Sequence, residues 1–272
     1  MSKRFQRVAR EDVRITKRDL HVIEAVFEAR YMTNRQIGRL LFGRADSSHG
    51  RQRLRYLFDL DYLRKRVANP NEPDIYYLGL KGRRYIATSG GWKRGTVDRI
   101  AGVSGDKVPT PALMMRHELT LSRLYVNARL ECRAHGWSMH WKNTRMLEME
   151  KLGLEPDAWI GLSGRRGERE AYVEFTAAMP SHSEMTGKLA RYEDFWSARD
   201  KAVPVLWLST SRAKANRLLE AIRRSDYRDC FLVGQIEDAG RWLTGTIWRW
   251  GDAEDGQQND MVQWIQPPPN GD

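Results

Sequence analysis

The chain has 272 residues, 41% hydrophobic and 30% charged, enough for one large domain or two smaller ones, each with its own core. No apolar run is long enough to span a membrane, and MSKRFQRVAR carries charges with no apolar stretch behind them, so neither a membrane protein nor a secretory leader is expected. The two cysteines, Cys132 and Cys230, supply neither a disulfide framework nor a CxxC knuckle and read as ordinary thiols of a cytoplasmic protein.

The net charge of +11 is unevenly spread. Residues 1–100 hold 23 Lys and Arg against 11 Asp and Glu, whereas residues 101–272 hold 23 against 24. The whole excess lies in the N-terminal third. A polyanion-binding module joined to a near-neutral domain accounts for this better than a general need for solubility. A membrane-surface role would bring an exposed amphipathic helix or a lipidation motif, and neither is present.

Thr16 is a good N-cap with Asp19 in the capping-box position, and Leu20, Ile23, Val26 and Phe27 follow at helical spacing. Thr33 caps a second, shorter helix with Ile37, Leu40 and Leu41 on its apolar face. Ser47 or Ser48 opens a third, with Leu54, Leu57, Phe58 and Leu60 inward. The period then changes to that of strands, 62–67 and 75–78, joined by the turn NPNEPD, and LKGRRYI reads as a short closing helix. A β-hairpin directly after a helix-turn-helix is a wing, so residues 1–87 are expected to form a winged helix. Arg51, Arg53 and Arg55 on the third helix are then candidates for the major groove, and Arg64, Lys65 and Arg66 on the wing for the flanking backbone of double-stranded DNA. The alternatives are arginines that are merely solvated, or a winged helix that binds protein.

Residues 88–111 are rich in Gly, Ser and Pro and read as a linker; their glycines lack the strand-to-helix context of a phosphate loop. From 112 to 250 the order reads α-β-β-β-α-β: a helix over 112–135, strands over 137–147, 155–162 and 171–176, a helix over 184–199 and a strand over 203–208, with a further helix over 211–224 and a strand near 231–233. Such an order implies a hairpin-containing sheet between helices. Residues 251–272 read as a flexible tail, with 261–265 as a candidate edge strand. His117, His135 and His140 are too irregularly spaced for a zinc site, and the ten tryptophans read as core or interface ahead of base stacking.

The run TKRDLHVIEAVFEARYMTNRQIGRLLF, the Arg-rich helix after it, and PDAWIGL…YVEFT…KLARYEDF together resemble the replication-relaxation family of bacterial, plasmid and phage proteins. The likeness covers most of residues 14–210, and Arg116-His117-Glu118-Leu119 is similar to the family's His-x-Leu signature. It implies an α+β or α/β chain: a winged helix followed by a restriction-endonuclease-like domain. In the related PD-(D/E)xK nuclease core, Asp157 and Glu174 would bind Mg²⁺, with Glu118 as a third carboxylate. Thr176 stands where that motif has its lysine, so the motif is degenerate, and Lys188 is the candidate replacement.

Three functions are therefore open. The first is a non-enzymatic DNA-binding accessory protein of a mobile element, acting at an origin, with a relaxase, another replication protein or a second copy of itself as partner. The second is a transcriptional regulator of that element. The third is a Mg²⁺-dependent nuclease using Asp157, Glu174 and Lys188.

Overall fold

The computed structural model of the chain describes residues 6–9, 12–66, 72–102, 112–149, 153–164, 167–199, 202–236, 241–245 and 247–251. It is a mixed α+β protein of two compact units, Met1–Val126 and Asn127–Asp272. Among the described residues, no helix is long and apolar enough to cross a membrane.

In the first unit, helices α1 (Lys17–Ala29), α2 (Asn34–Leu41) and α3 (Ser48–Asp59) begin where their caps require. Thr16 and Thr33 each accept a bond from the backbone N–H three residues on, and Asp19 and Gln36 return it, so both are complete capping boxes. Ser47 caps α3 by accepting from the Gly50 N–H. The apolar faces meet through Val22, Ile23, Val26, Ile37, Leu40, Leu54 and Leu57, all buried, while Leu41 and Leu60 are only half-buried. Strands β2 (Leu63–Arg66) and β3 (Ile75–Leu78) form an antiparallel hairpin with Leu63 opposite Leu78 and Arg66 opposite Ile75. A two-residue strand, β1 (Met32–Thr33), pairs with the other edge of β3, giving the order β1-β3-β2.

Residues 88–102 do not form the expected linker. Helix α4 runs Leu80–Ser89 and α5 runs Arg94–Ala101, with Val97, Ile100 and Ala101 buried and Arg83 bonded to Asp98 at 2.8 Å. A Cβ at Gly82 would run into the Tyr62 carbonyl oxygen, so glycine is what lets α4 lie this close to the turn before β2. Residues 103–111 of the expected linker, and 252–272 of the expected tail, lie outside the described residues.

Helix α6 (Ala112–His135) contains the division between the units. Its first half belongs to the first unit, where Glu118 pairs with the buried Arg30, the Ser122 hydroxyl donates its one proton to the Tyr31 carbonyl, and the Tyr125 hydroxyl donates to Glu28 at 2.6 Å. Arg30 holds φ 64°, a region that disfavours side chains, and the buried ion pair fixes it there.

The second unit is built on a six-stranded sheet of order β4-β5-β6-β7-β8-β9. Strands β4 (Ser138–Asn143), β5 (Ala158–Gly164) and β6 (Gly167–Thr176) are antiparallel; β6, β7 (Val205–Ser209) and β8 (Phe231–Gln235) are parallel; β9 (Trp248–Trp250) closes the edge antiparallel to β8. The short α7 (Thr144–Leu147) follows β4. Crossovers α8 (His182–Ser197) and α9 (Arg212–Ile222) link the parallel strands, as parallel pairing demands. Tyr172, Val205, Trp207, Phe231 and Val233 of the sheet share a core with Met185, Leu189, Tyr192, Phe195 and Trp196 of α8 and Leu218, Leu219 and Ile222 of α9. The α-β-β-β-α-β order expected from the sequence is present, with α7 and β9 added.

Candidate functional site

The basic residues of the first unit separate into two groups. On α3, Arg51 and Arg53 lie on different sides of the buried Leu54. Arg51 is exposed, with its Nη1 3.3 Å from the Asp46 carbonyl oxygen. Arg53 turns inward: its Nε donates to Asp19 at 3.0 Å, its Nη2 to the other oxygen of the same carboxylate and also to the Arg14 carbonyl oxygen at 3.1 Å. The Asp19 side chain is 0% exposed and that of Arg53 14%. Arg53 is therefore a strut between α1 and α3, and its guanidinium is committed to that bidentate bond.

Arg55 is similarly engaged, with Asp59 at 3.0 Å and the Gln6 carbonyl oxygen at 2.5 Å. On the hairpin, Arg64 lies 3.4 Å from Asp61, and Lys65, only 5% exposed, lies 3.7 Å from Asp74. Arg7, Arg55 and Lys65 all stand over the Phe58 ring, at 5.4, 5.4 and 5.1 Å. Arg66 is half-buried at the end of β2.

Of the α3 candidates only Arg51 is exposed, and around it stand exposed cations that the sequence reading did not name. Arg35 and Arg39, one turn apart on α2 and so on one face, are exposed, as are Arg44 in the α2–α3 turn and Arg51 on α3. Arg35 reaches Asp46 at 3.8 Å, both side chains largely in solvent. Ser48, His49 and Gln52 complete the exposed N-terminal half of α3, whose first turn carries no acidic residue. The i, i+4 spacing of Arg35 and Arg39, opposite Ile37 and Leu40, was the signal available in the sequence.

In the second unit the sheet and α8 bring Asp157, Glu174 and Lys188 together. Glu174, on β6, is 1% exposed. Its Oε2 accepts from Lys188 Nζ at 2.5 Å and its Oε1 from the Tyr192 hydroxyl at 2.7 Å. Lys188 and Tyr192 are one turn apart on α8, which is why both reach the same carboxylate. Asp157, just before β5, accepts from the Phe175 N–H at 2.7 Å. Thr176 Oγ1 accepts from Trp207 Nε1 at 2.9 Å, and Trp207 is the register partner of Glu174.

Burial pushes the Glu174 carboxyl up, to about 7; the Lys188 charge opposes this and the Asp157 charge adds to it. Desolvation works against the Lys188 ammonium, but Glu174 and Asp157 outweigh it and hold its pKa above the ordinary lysine value. Burial, and then Glu174, raise the Tyr192 phenol well above its usual range. These groups titrate as a unit.

Glu118 lies in the first unit, bound to Arg30. Among the described residues, no group of three or more His, Cys, Asp or Glu side chains could hold a metal ion. With both oxygens of Glu174 accepting from Lys188 and Tyr192, the donor set does not fit the Mg²⁺ that the nuclease resemblance implies. The thiols offer no nucleophile: burial raises Cys132 to about 12 and Cys230 to about 11, the neighbouring acids adding to it.

No curated protein and no solved structure matches the chain. The family model described as replication-relaxation matches residues 23–206, from the middle of α1 through Leu206 of β7. Over that span, which takes in both the basic helices and the carboxylate cluster, the chain belongs to the replication-relaxation family.

Proposed function

We propose that the chain is a DNA-binding accessory protein of a plasmid, phage or other mobile element, and that it acts in replication or relaxation at an origin. The three helices and hairpin of the first unit read as a winged helix, with α3 as the helix presented to the major groove. The observation that carries the proposal is the exposed group Arg35, Arg39, Arg44 and Arg51 around the N-terminal end of α3. Helix-turn-helix proteins contact base edges from that end of the second helix, and its backbone dipole favours phosphate there. The Arg35–Asp46 pair, long and solvated, costs little to exchange for a phosphate. Hence the interface shifts by half a helix from Arg53 and Arg55 toward Arg51 and α2.

The test is fluorescence anisotropy with a labelled duplex across a salt series. Replacing Arg44 and Arg51 with alanine is expected to weaken binding and to lower the slope of log K against log[salt] by about 0.9 for each phosphate that is no longer neutralised. Unchanged affinity and slope would sink this interface. Sequencing of the genomic DNA bound in cells would then tell an origin from an operator.

A further inference from the structure

We infer that Lys188 is the resident cation of the Asp157–Glu174 pair, standing where a divalent ion would otherwise sit, and that this cluster takes no Mg²⁺. Mg²⁺ needs near-octahedral oxygen ligands at about 2.0–2.1 Å and keeps several waters. Glu174 offers neither the ligands nor the room: it is 1% exposed, one oxygen accepts from the ammonium at 2.5 Å, and the other from Tyr192 at 2.7 Å. A metal would have to displace Lys188 from a seat that also places it 5.5 Å over the Trp207 ring. Asp157 is held by the Phe175 N–H, and Thr176, in the position of the nuclease lysine, spends its hydroxyl on Trp207.

Both oxygens of Glu174 are thus taken up, one by the ammonium and one by the phenol. Lys188 compensates the buried Glu174 side chain; without it, that carboxylate would have no cation. Hydrolysis of a phosphodiester then does not occur at this cluster. The cluster belongs to the second unit and the DNA interface to the first, so failure of either proposal leaves the other standing.

The full-length protein can be titrated calorimetrically with MnCl₂ and MgCl₂ and its thermal midpoint followed in parallel against NaCl of equal ionic strength. The wild type is expected to give no saturable heat and no metal-specific rise in midpoint. Heat that persists unchanged in Asp157→Asn arises elsewhere and agrees with the inference; heat abolished by Asp157→Asn overturns it. Lys188→Met, melted well above neutral pH so that Glu174 is ionised, is expected to melt lower than the wild type and to recover part of the deficit with Mn²⁺, because the carboxylates then accept the ion. A folded Lys188→Met as indifferent to Mn²⁺ as the wild type also overturns the inference. If that variant does not fold, the wild-type titration decides alone.

Discussion

Replacing Arg53 with alanine separates an arginine that holds two helices together from one that lies open to solvent. The guanidinium gives two bonds to Asp19, whose side chain is 0% exposed, and one to the Arg14 carbonyl oxygen. Removing one partner of a buried ion pair costs about 3–5 kcal/mol, because the remaining charge has no compensation. Asp19 would keep its bonds from the Thr16 N–H and hydroxyl, which puts the expected destabilisation near the lower end, about 3 kcal/mol. In a unit of this size that lowers the melting midpoint by roughly 10 °C. The exposed Arg51→Ala should change stability by no more than about 0.5 kcal/mol.

The pH dependence of that deficit sharpens the test. Burial pushes the Asp19 carboxyl up, but the bonds from Arg53 and Thr16 prevail and hold it below the ordinary aspartate value. A group with a lowered folded pKa contributes stability above its unfolded value and loses it as pH falls through the folded one. Without Arg53, burial dominates and Asp19 takes up a proton on mild acidification. The deficit of Arg53→Ala should therefore be largest near neutral pH and shrink toward about pH 4. Calorimetric scans at several pH values measure it. A variant within about 0.5 kcal/mol of wild type, or a deficit of constant size across that range, would refute the strut.

Glu174 has the opposite sign. Its folded pKa lies above its unfolded one, so its contribution is present below the unfolded value and is lost as pH rises through about 7. The second unit should melt higher near about pH 5 than near about pH 8, and Glu174→Gln should flatten the difference; a difference that survives the substitution belongs to another group. Glu131, on the second-unit portion of α6, accepts from the backbone N–H groups of Trp242, Leu243 and Thr244 and from the Thr244 hydroxyl. Glu131→Ala should cost about 2–3 kcal/mol and speed hydrogen exchange at 242–244, and unchanged exchange there would show that the segment is held by packing alone.

The elements with a strong apolar period were legible. Helices α1, α2, α3, α6 and α8 and strand β7 fall within a few residues of the expected spans, because Ile23, Ile37, Leu54, Leu189 and Leu206 mark faces that must be buried. Helix α5 was hidden because its buried Val97 and Ile100 sit in a segment whose Gly and Ser content reads as a loop. Strand β9 is only three residues long and its burial depends on β8.

The cluster of Asp157, Glu174 and Lys188 could be anticipated from the resemblance, and the place of Tyr192 one turn after Lys188 carried the signal for the bond that completes it. The arginines were harder. On α3, Arg51, Arg53 and Arg55 look alike in sequence, and what divides them is Asp19, 34 positions before Arg53. In the same way Glu118 reads as a metal ligand in sequence, and what removes it from that role is Arg30, 88 positions away. Periodicity reports which face is buried, but ion pairs between distant elements are decided by packing.

Because the first half of α6 supplies partners to Arg30, Tyr31 and Glu28, the first unit is not finished when its hairpin and α5 are. During synthesis, Arg30 has its counter-charge only once residue 118 has left the ribosome, and the Tyr31 carbonyl its donor only after residue 122. A fragment ended at 111, where composition alone would place the cut, leaves Arg30 without its counter-charge in every experiment done with it. One that runs through Val126 keeps the set intact.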